Sequence, residues 1–306
     1  MKPIFVICIH TLLLISCQQK NVDLSLNLQK GQTYDQIISS NSTVSQFMKG
    51  QQISIGISIN GHLSFYVKNT PPPYYDIEVT YKSLSMSMQL PQGNKQFSSE
   101  KNDGGDIFSS LLAEMKDRPF YIRITKKGEI KEVMGMDSLV SSMFAKFPQL
   151  TEEQKLQIKD QFMKAYGETA FRSNFKMFTA IFPDHPVDVG DKWIVNTQLS
   201  LPTEANITST YQYKGSSNTI YTIHGISKIE TANKDAYRET NGIPLKYDIK
   251  GTMVSDIKIN KESGWIQEAQ ITQETSGNVQ VKGTQKTPEG MTIPMTMNSK
   301  TRITSK

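Results

Sequence analysis

The sequence predicts an α+β protein dominated by strand, with two similar antiparallel, curved β-sheet halves and a helical segment between them. Three observations point there. Apolar and polar residues alternate on both sides of the centre, the mark of strands with one buried face. The one long stretch with helical spacing is central, from Asp137 to Phe182. Landmarks on the two sides of that stretch repeat. The expected units are an N-terminal β half over 24–136 with one short helix, a helical segment over 137–183 and a C-terminal β half over 184–306.

In the first half, Leu24, Leu26 and Leu28 alternate with polar residues and predict a half-buried strand, after which Lys30-Gly31 turns the chain toward Tyr34. Ile53, Ile55, Ile57 and Ile59 alternate with small residues and end at Asn60-Gly61. That dipeptide predicts a two-residue hairpin, because a type I′ turn needs positive φ at both central positions, and His62–Lys68 would return. Pro71-Pro72-Pro73 stops pairing, since proline has no N–H for a ladder. In the next strand Ile77, Val79 and Tyr81 are in one phase and Leu84, Met86, Met88 and Leu90 in the other, which predicts a β-bulge near Lys82-Ser83. The segment 95–105 reads as a loop, and Asp106 as the cap of a short helix presenting Leu111, Leu112 and Met115. Phe120–Ile124 and Ile130–Val133 flank a turn at Lys127-Gly128.

In the middle, Leu139, Val140, Met143, Phe144 and Phe147 keep helical spacing until Pro148. Thr151-Glu152-Glu153-Gln154 has the form of a capping box, in which side chain and backbone of Thr151 and Gln154 satisfy each other. Phe162, Met163 and Tyr166, then Phe171, Phe175, Phe178 and Phe182, form an aromatic stripe expected to pack on the sheet. Gly167 leaves one helix or two open, and Pro183 ends the run. In the second half strands are expected over 206–213, 219–229, 245–260, 265–275 and 291–304. The repeat rests on Leu28-x-x-Gly31-x-x-Tyr34 against Val187-x-x-Gly190-x-x-Trp193, and on Ile122–Ile130 against Ile257–Ile266.

Charge excludes one function class. The formal net charge is +5, but Lys and Arg are dispersed among Asp and Glu, so there is no basic patch for nucleic acid. The N-terminus is more telling. Lys2 precedes an apolar run, Ile4–Ile15, that is too short to span a bilayer, which needs about 20 residues, and that has the layout of a secretory signal. It ends Leu14-Ile15-Ser16-Cys17, which resembles the lipobox of bacterial lipoproteins. The resemblance implies cleavage after residue 16, a lipid on Cys17 and a short tether over 17–23. Removing Lys2 would leave 33 basic against 29 acidic residues, or +4. With Cys8 removed and Cys17 acylated, no cysteine is left for a disulfide, a nucleophile or a zinc site.

No catalytic constellation emerges. His62 and His224 lie in strand patterns, and there is no His-Glu-x-x-His, Gly-x-Ser-x-Gly or phosphate-binding loop. Asp184, His185, Asp188 and Asp191 have metal-capable spacing, but aspartate and proline are what turns use, so neither a metal nor a cofactor is expected.

The order lipobox, Gly31-x-x-Tyr34, Ser99-Glu100, Pro119-Phe120-x-Ile122, Lys127-Gly128-Glu129-Ile130, helical middle and Phe182-Pro183…Val189-Gly190-Asp191-x-Trp193 resembles a family of uncharacterised Bacteroidota lipoproteins of this size. The resemblance implies a cell-envelope location, outer membrane facing the periplasm, because no acidic cluster follows Cys17. The expected function is non-catalytic: binding an apolar ligand or a protein partner, or serving as an accessory subunit of an envelope complex. A metal-assisted hydrolase is the third alternative. The expected partner of Cys17 is the membrane itself.

Overall fold

The computed structural model describes residues 21–48, 50–101, 106–200, 204–240, 242–283 and 290–306. Cys17 lies outside them. The strands are β1 (Thr33–Met48), β2 (Gln51–Asn69), β3 (Tyr74–Leu90) and β4 (Gly93–Ser98), followed by helix α1 (Ile107–Met115). Then come β5 (Pro119–Thr125), β6 (Ile130–Met134), α2 (Met136–Phe144), α3 (Glu152–Tyr166) and α4 (Glu168–Thr179). The chain finishes with β7 (Lys192–Ser200), β8 (Glu204–Ser216), β9 (Ile220–Thr231), β10 (Arg238–Thr240), β11 (Ile243–Asn260), β12 (Ile266–Val281) and β13 (Met291–Ser305).

Both β halves belong to one antiparallel sheet, in the order β6-β5-β3-β2-β1-β13-β12-β11-β9-β8-β7, with β4 beside β3 and β10 beside β11. The halves join where the first strand pairs with the last, Gln36 opposite Ser305 through Gln46 opposite Met295. The sheet is strongly curled. Leu26 N–H donates to the Lys126 carbonyl (2.8 Å) and Asn27 N–H to the Ser263 carbonyl (2.8 Å). Those carbonyls sit in the turns after β5 and β11, and β5 and β12 are five strand spacings apart, about 24 Å in a flat sheet. Neighbouring residues can reach both only if the ends of the sheet bend toward each other. The two outermost strands are also brought together: α4 packs against both β6 and β7. A helix is about 10–12 Å across, whereas ten strand spacings laid flat would separate those edges by about 48 Å.

Residues 24–28 therefore run as a strap rather than as the strand the alternation predicts. Leu24, Leu26 and Leu28 are all buried, and their backbone crosses the lower end of the curled sheet instead of joining a ladder. The Asn60-Gly61 hairpin is also corrected. β2 runs straight through these residues, with Asn60 opposite Ser39 and Ser85 and Gly61 opposite Ile38 and Leu84. The inward series Ile59-Gly61-Leu63-Phe65 continues without a break, and the Leu84 and Leu63 methyls close over Gly61, so pairing on both sides overrides the local turn cue. The reversal lies instead between β1 and β2, where Met48 faces Gln51. The segment read as a loop, 95–105, begins instead in strand, because β4 (Gly93–Ser98) pairs with β3.

Other expectations hold. The register of β2 against β3 shifts between His62 and Leu63, opposite Lys82, so Leu84, Met86 and Met88 share the face of Tyr81 and Val79. The Asp106 side chain caps α1 by accepting from Ser109 N–H (3.0 Å), and the Thr151–Gln154 capping box is complete at the start of α3. Gly167 divides the long run into α3 and α4. The aromatic stripe packs on the sheet as expected: Phe171 meets Phe120 edge-on with ring centroids 4.9 Å apart, and Phe175 lies 5.9 Å from Phe65. Phe65 in turn meets Trp265 (5.1 Å), and Trp265 meets Tyr34 (5.3 Å). This aromatic column links helices, both sheet halves and the strap into one core.

Candidate binding surfaces

The strand registers define an inner face that carries the core and an outer face that meets solvent. On β2 the inner residues run from Val67, Phe65 and Leu63 at the lower end to Ile59, Ile57, Ile55 and Ile53 at the upper end. The first three are buried in the core; the four isoleucines are partly exposed, Ile59 at 41%, and none packs into it. Their neighbours behave alike: Met86 and Met88 on β3, Val44 on β1, and Met295 and Met297 on β13. These nine residues are contiguous, because Ile59 pairs with Met86, Ile57 with Met88, Ile55 with Val44 and Val44 with Met297. The outer positions at the same level are Asn41, Thr43, Ser54, Ser58, Ser87 and Asn298, so the strands discriminate inside from outside where no core covers the inside. A contiguous apolar wall of this extent, left partly exposed, fits a surface that something covers.

Two pairs of hydroxyls interrupt the wall. Ser40 and Thr301 share a hydrogen bond (2.8 Å), and Ser42 donates to Ser299 (2.9 Å). Both are inward cross-strand pairs, and satisfying each other lowers the cost of placing them beside apolar contacts. Farther round the inner face, Ser209 and Ser227 form another such pair (2.8 Å) in the buried part of the second half. The wall is lined with methionine and isoleucine, and methionine's flexible thioether adapts to irregular apolar shapes.

A second feature is a cleft of about 550 Å³ at the seam where the outermost strands approach α4. Its walls are Gly128, Glu129 and Ile130 at the start of β6, one face of α4 with Thr169, Arg172, Ser173 and Lys176, and the edge of β7 from Val195 to Ser200. Phe175 and Phe182 form its apolar floor. The Arg172 guanidinium is held by Glu168 Oε1 (2.7 Å) and donates to the Ile130 carbonyl (3.1 Å), tying α4 to β6.

The titratable clusters seen in the sequence prove to be surface pairs. His185 Nδ1 lies 2.6 Å from Asp184 Oδ1, both exposed; the bond to His185 holds the Asp184 carboxyl below its usual range. Asp191 Oδ2 instead accepts from Asp188 N–H (2.8 Å) and shapes the turn into β7. Among the described residues no group of three or more His, Cys, Asp or Glu side chains could hold a metal ion. His224 faces Asp256 across β9 and β11 (2.8 Å) on the outer surface, and His62 lies 3.6 Å from Asp35. None of these pairs belongs to the apolar wall; Asp184 lies near Lys127 at the rim of the seam, close enough for the lysine's charge to act on it. Sequence reasoning missed the wall because alternation reports an apolar face, not whether anything covers it. Among the described residues no helix is long and apolar enough to cross a membrane.

Similarities to solved structures are remote. A lipovitellin structure concerned with lipid–protein interactions aligns with 92% of this chain at 10% identity and a TM-score of 0.49, and the chain spans about a quarter (25%) of its length. An outer-membrane channel from Pseudomonas putida F1 aligns with 90% of this chain and 97% of its own length at 7% identity and a TM-score of 0.25. No curated protein matches the chain. Residues 73–266, more than half of the chain and reaching from the start of β3 into β12, match the family of unknown function DUF6263, and the chain belongs to that family.

Proposed function

We propose that this chain is a lipid-anchored cell-envelope protein that binds an apolar ligand, without catalysis, against the upper inner wall of its sheet. The observation that carries the reading is the run Ile53, Ile55, Ile57 and Ile59 with Met86, Met88, Val44, Met295 and Met297: inward-facing, contiguous, partly exposed and outside the core. Fully burying an exposed side chain of this kind contributes roughly 1.5–3 kcal/mol, and covering the part still open on each residue contributes a fraction of that, so binding without charged contacts requires a ligand that touches several of them.

The sequence supports the anchor through Leu14-Ile15-Ser16-Cys17. Cys17 lies five residue steps before Val22, and a fully extended chain of that length spans at most about 18 Å. Val22 is fixed to the lower end of the sheet by paired backbone bonds with Val187 (2.9 and 3.0 Å). A lipid on Cys17 would hold the strap-closed end near the bilayer, in our reading the outer membrane from its periplasmic side. The wall would then lie toward the far end of the strands.

The test is extraction of the native, purified protein with organic solvent, followed by mass spectrometry. An apolar compound is expected at near-stoichiometric yield, and Ile57→Asp is expected to lose it while Ser58→Asp, on the outer face, keeps it. Recovery of nothing apolar, or equal recovery from both variants, would count against the reading.

A further inference from the structure

The edge of β7 in the seam cleft leads to a separate conclusion. In an antiparallel strand, alternate residues turn their N–H and C=O toward one neighbour and the rest toward the other. Ser200 N–H points away from β8, since it meets Ser173 Oγ of α4 (3.4 Å). The same two-residue phase turns Gln198, Asn196 and Ile194 away from β8. On β8, Ala232 N–H donates to the Glu204 carbonyl (2.8 Å), so the even residues of that strand face β9 and its odd residues face β7, as this phase requires. Among the described residues, no backbone or side-chain partner meets the outward groups of Asn196 or Gln198.

Free strand edges are usually shielded by charge, proline, shortness or a bulge. β6, at the opposite edge, has Lys131 and Glu132 within five residues, and Arg172 bonds its first carbonyl. β7 runs nine residues with its single charge at Lys192, no proline, and Ile194 64% exposed. The cleft follows this edge from Val195 to Ser200, about 17 Å of extended chain. Its lining carries Lys127, Arg172 and Lys176 and one carboxylate, Glu129, which is itself engaged by Lys131 (2.7 Å), while Asp184 stands just outside it near Lys127. Arg172 and Lys127 have acidic partners, Glu168 and Asp23; Lys176 has none among the described residues.

We infer that the seam is a peptide-binding site, in which β7 accepts an extended acidic segment of a partner protein as an added strand. The backbone row supplies the main-chain bonds, and Lys176 favours a carboxylate beside α4. The inference is independent of the apolar-ligand reading, because the wall and the seam share no residue.

The probe is acetyl-Val-Glu-Val-Glu-Val-Glu-amide carrying a fluorophore, with its lysine counterpart as the control, titrated into the full-length mature protein by anisotropy. The glutamate peptide is expected to bind, the lysine peptide more weakly, and amide exchange at Asn196 and Gln198 is expected to slow on binding. Gln198→Pro removes an outward N–H that the fold does not use, so it is expected to weaken binding about tenfold or more with thermal melting little changed. Should that variant unfold, Lys176→Glu serves instead, with the peptide preference expected to reverse. Absence of binding to either peptide, or affinity unaffected by Gln198→Pro in a folded variant and by Lys176→Glu, would overturn the inference. So would a concentration-dependent dimer that buries β7 and excludes the peptide.

Discussion

If the strap holds the curled sheet together, trimming it at Leu26 should loosen two turns that the sheet order places far apart. Leu26 is 3% exposed, and its N–H bonds Lys126 while that of Asn27 bonds Ser263. Leu26→Ala removes most of a fully buried side chain at a site where the adjoining backbone is fixed to Lys126 and Ser263, so the cavity collapses only partly. The expected loss is about 3 kcal/mol, within the range for leucine truncations in rigid cores. With a urea dependence of about 3 kcal/mol per molar, the unfolding midpoint should fall by about 1 M. Leu26→Met, which keeps the volume, should cost less than about 1.5 kcal/mol. Hydrogen exchange resolves the mechanism: in Leu26→Ala the amides of the turns around Lys126 and around Ser263 should both exchange faster. A midpoint shift below about 0.2 M, or acceleration confined to one turn, would refute the claim that the strap clamps both.

Three further outcomes follow from the same structure. Gly264 adopts φ of 69° with the Ser25 carbonyl directly against the position a Cβ would take, so Gly264→Ala should cost about 2 kcal/mol or more in a urea melt. Burial raises the phenol pKa of Tyr81, Tyr166 and Tyr211. The folded chain therefore keeps protons that the unfolded chain releases near pH 10, and the stability these groups supply is complete below about pH 10 and lost as pH rises toward their folded values. Urea midpoints at about pH 9 and about pH 11 should show this decline, and equal midpoints would contradict it. Cys17→Ser is expected to move the protein from the membrane fraction to the soluble fraction, and unchanged sedimentation would remove the anchor from the proposal.

Where two-residue alternation met ordinary pairing, the strands were legible: 206–213 and 291–304 lie within observed strands, and 219–229 matches β9 but for its first residue. So was the bulge at Lys82, because a phase change in apolar residues is a direct record of an extra residue. β1 was not legible beyond Tyr34, since Ser39-Ser40-Asn41-Ser42-Thr43 offers almost no apolar contrast. It is held from both sides by β2 and β13. The strap failed for the opposite reason. Leu24, Leu26 and Leu28 have a strand's pattern, yet alternation records only that every second side chain is buried, not that the backbone sits in a ladder. The seam was invisible because an edge becomes an edge only through the arrangement of its neighbours.

The strand order makes the central helices easier to understand. Followed round the curl from β1, the main path runs β2, β3, β5, β6, then β7, β8, β9, β11, β12 and β13, and so back to β1: chain order is neighbour order throughout. Such a meander is one pairing short of a closed barrel, and the missing pair is β6 with β7, the place where the chain departs to build α2, α3 and α4. The landmarks that repeat in sequence have matching places on this ring. Leu28 and Val187 are buried, Gly31 and Gly190 take positive φ, and Tyr34 and Trp193 then enter β1 and β7 facing inward. The turns after β5 and β11 both bond the strap. A repeat of this kind alone would favour closure by strand pairing, which leaves no edge. Placing α4 at the junction instead spreads β6 from β7, fills the lower gap with Phe171 and Phe175, and leaves β7 with an unpaired row of backbone groups. Shortening the helical segment so that β6 could reach β7 should therefore abolish the seam cleft while the apolar wall on β3, β2, β1 and β13, on strands away from the seam, survives. Peptide titration and solvent extraction on one such variant would measure the two outcomes separately, and loss of both together would show that the wall depends on the helices after all.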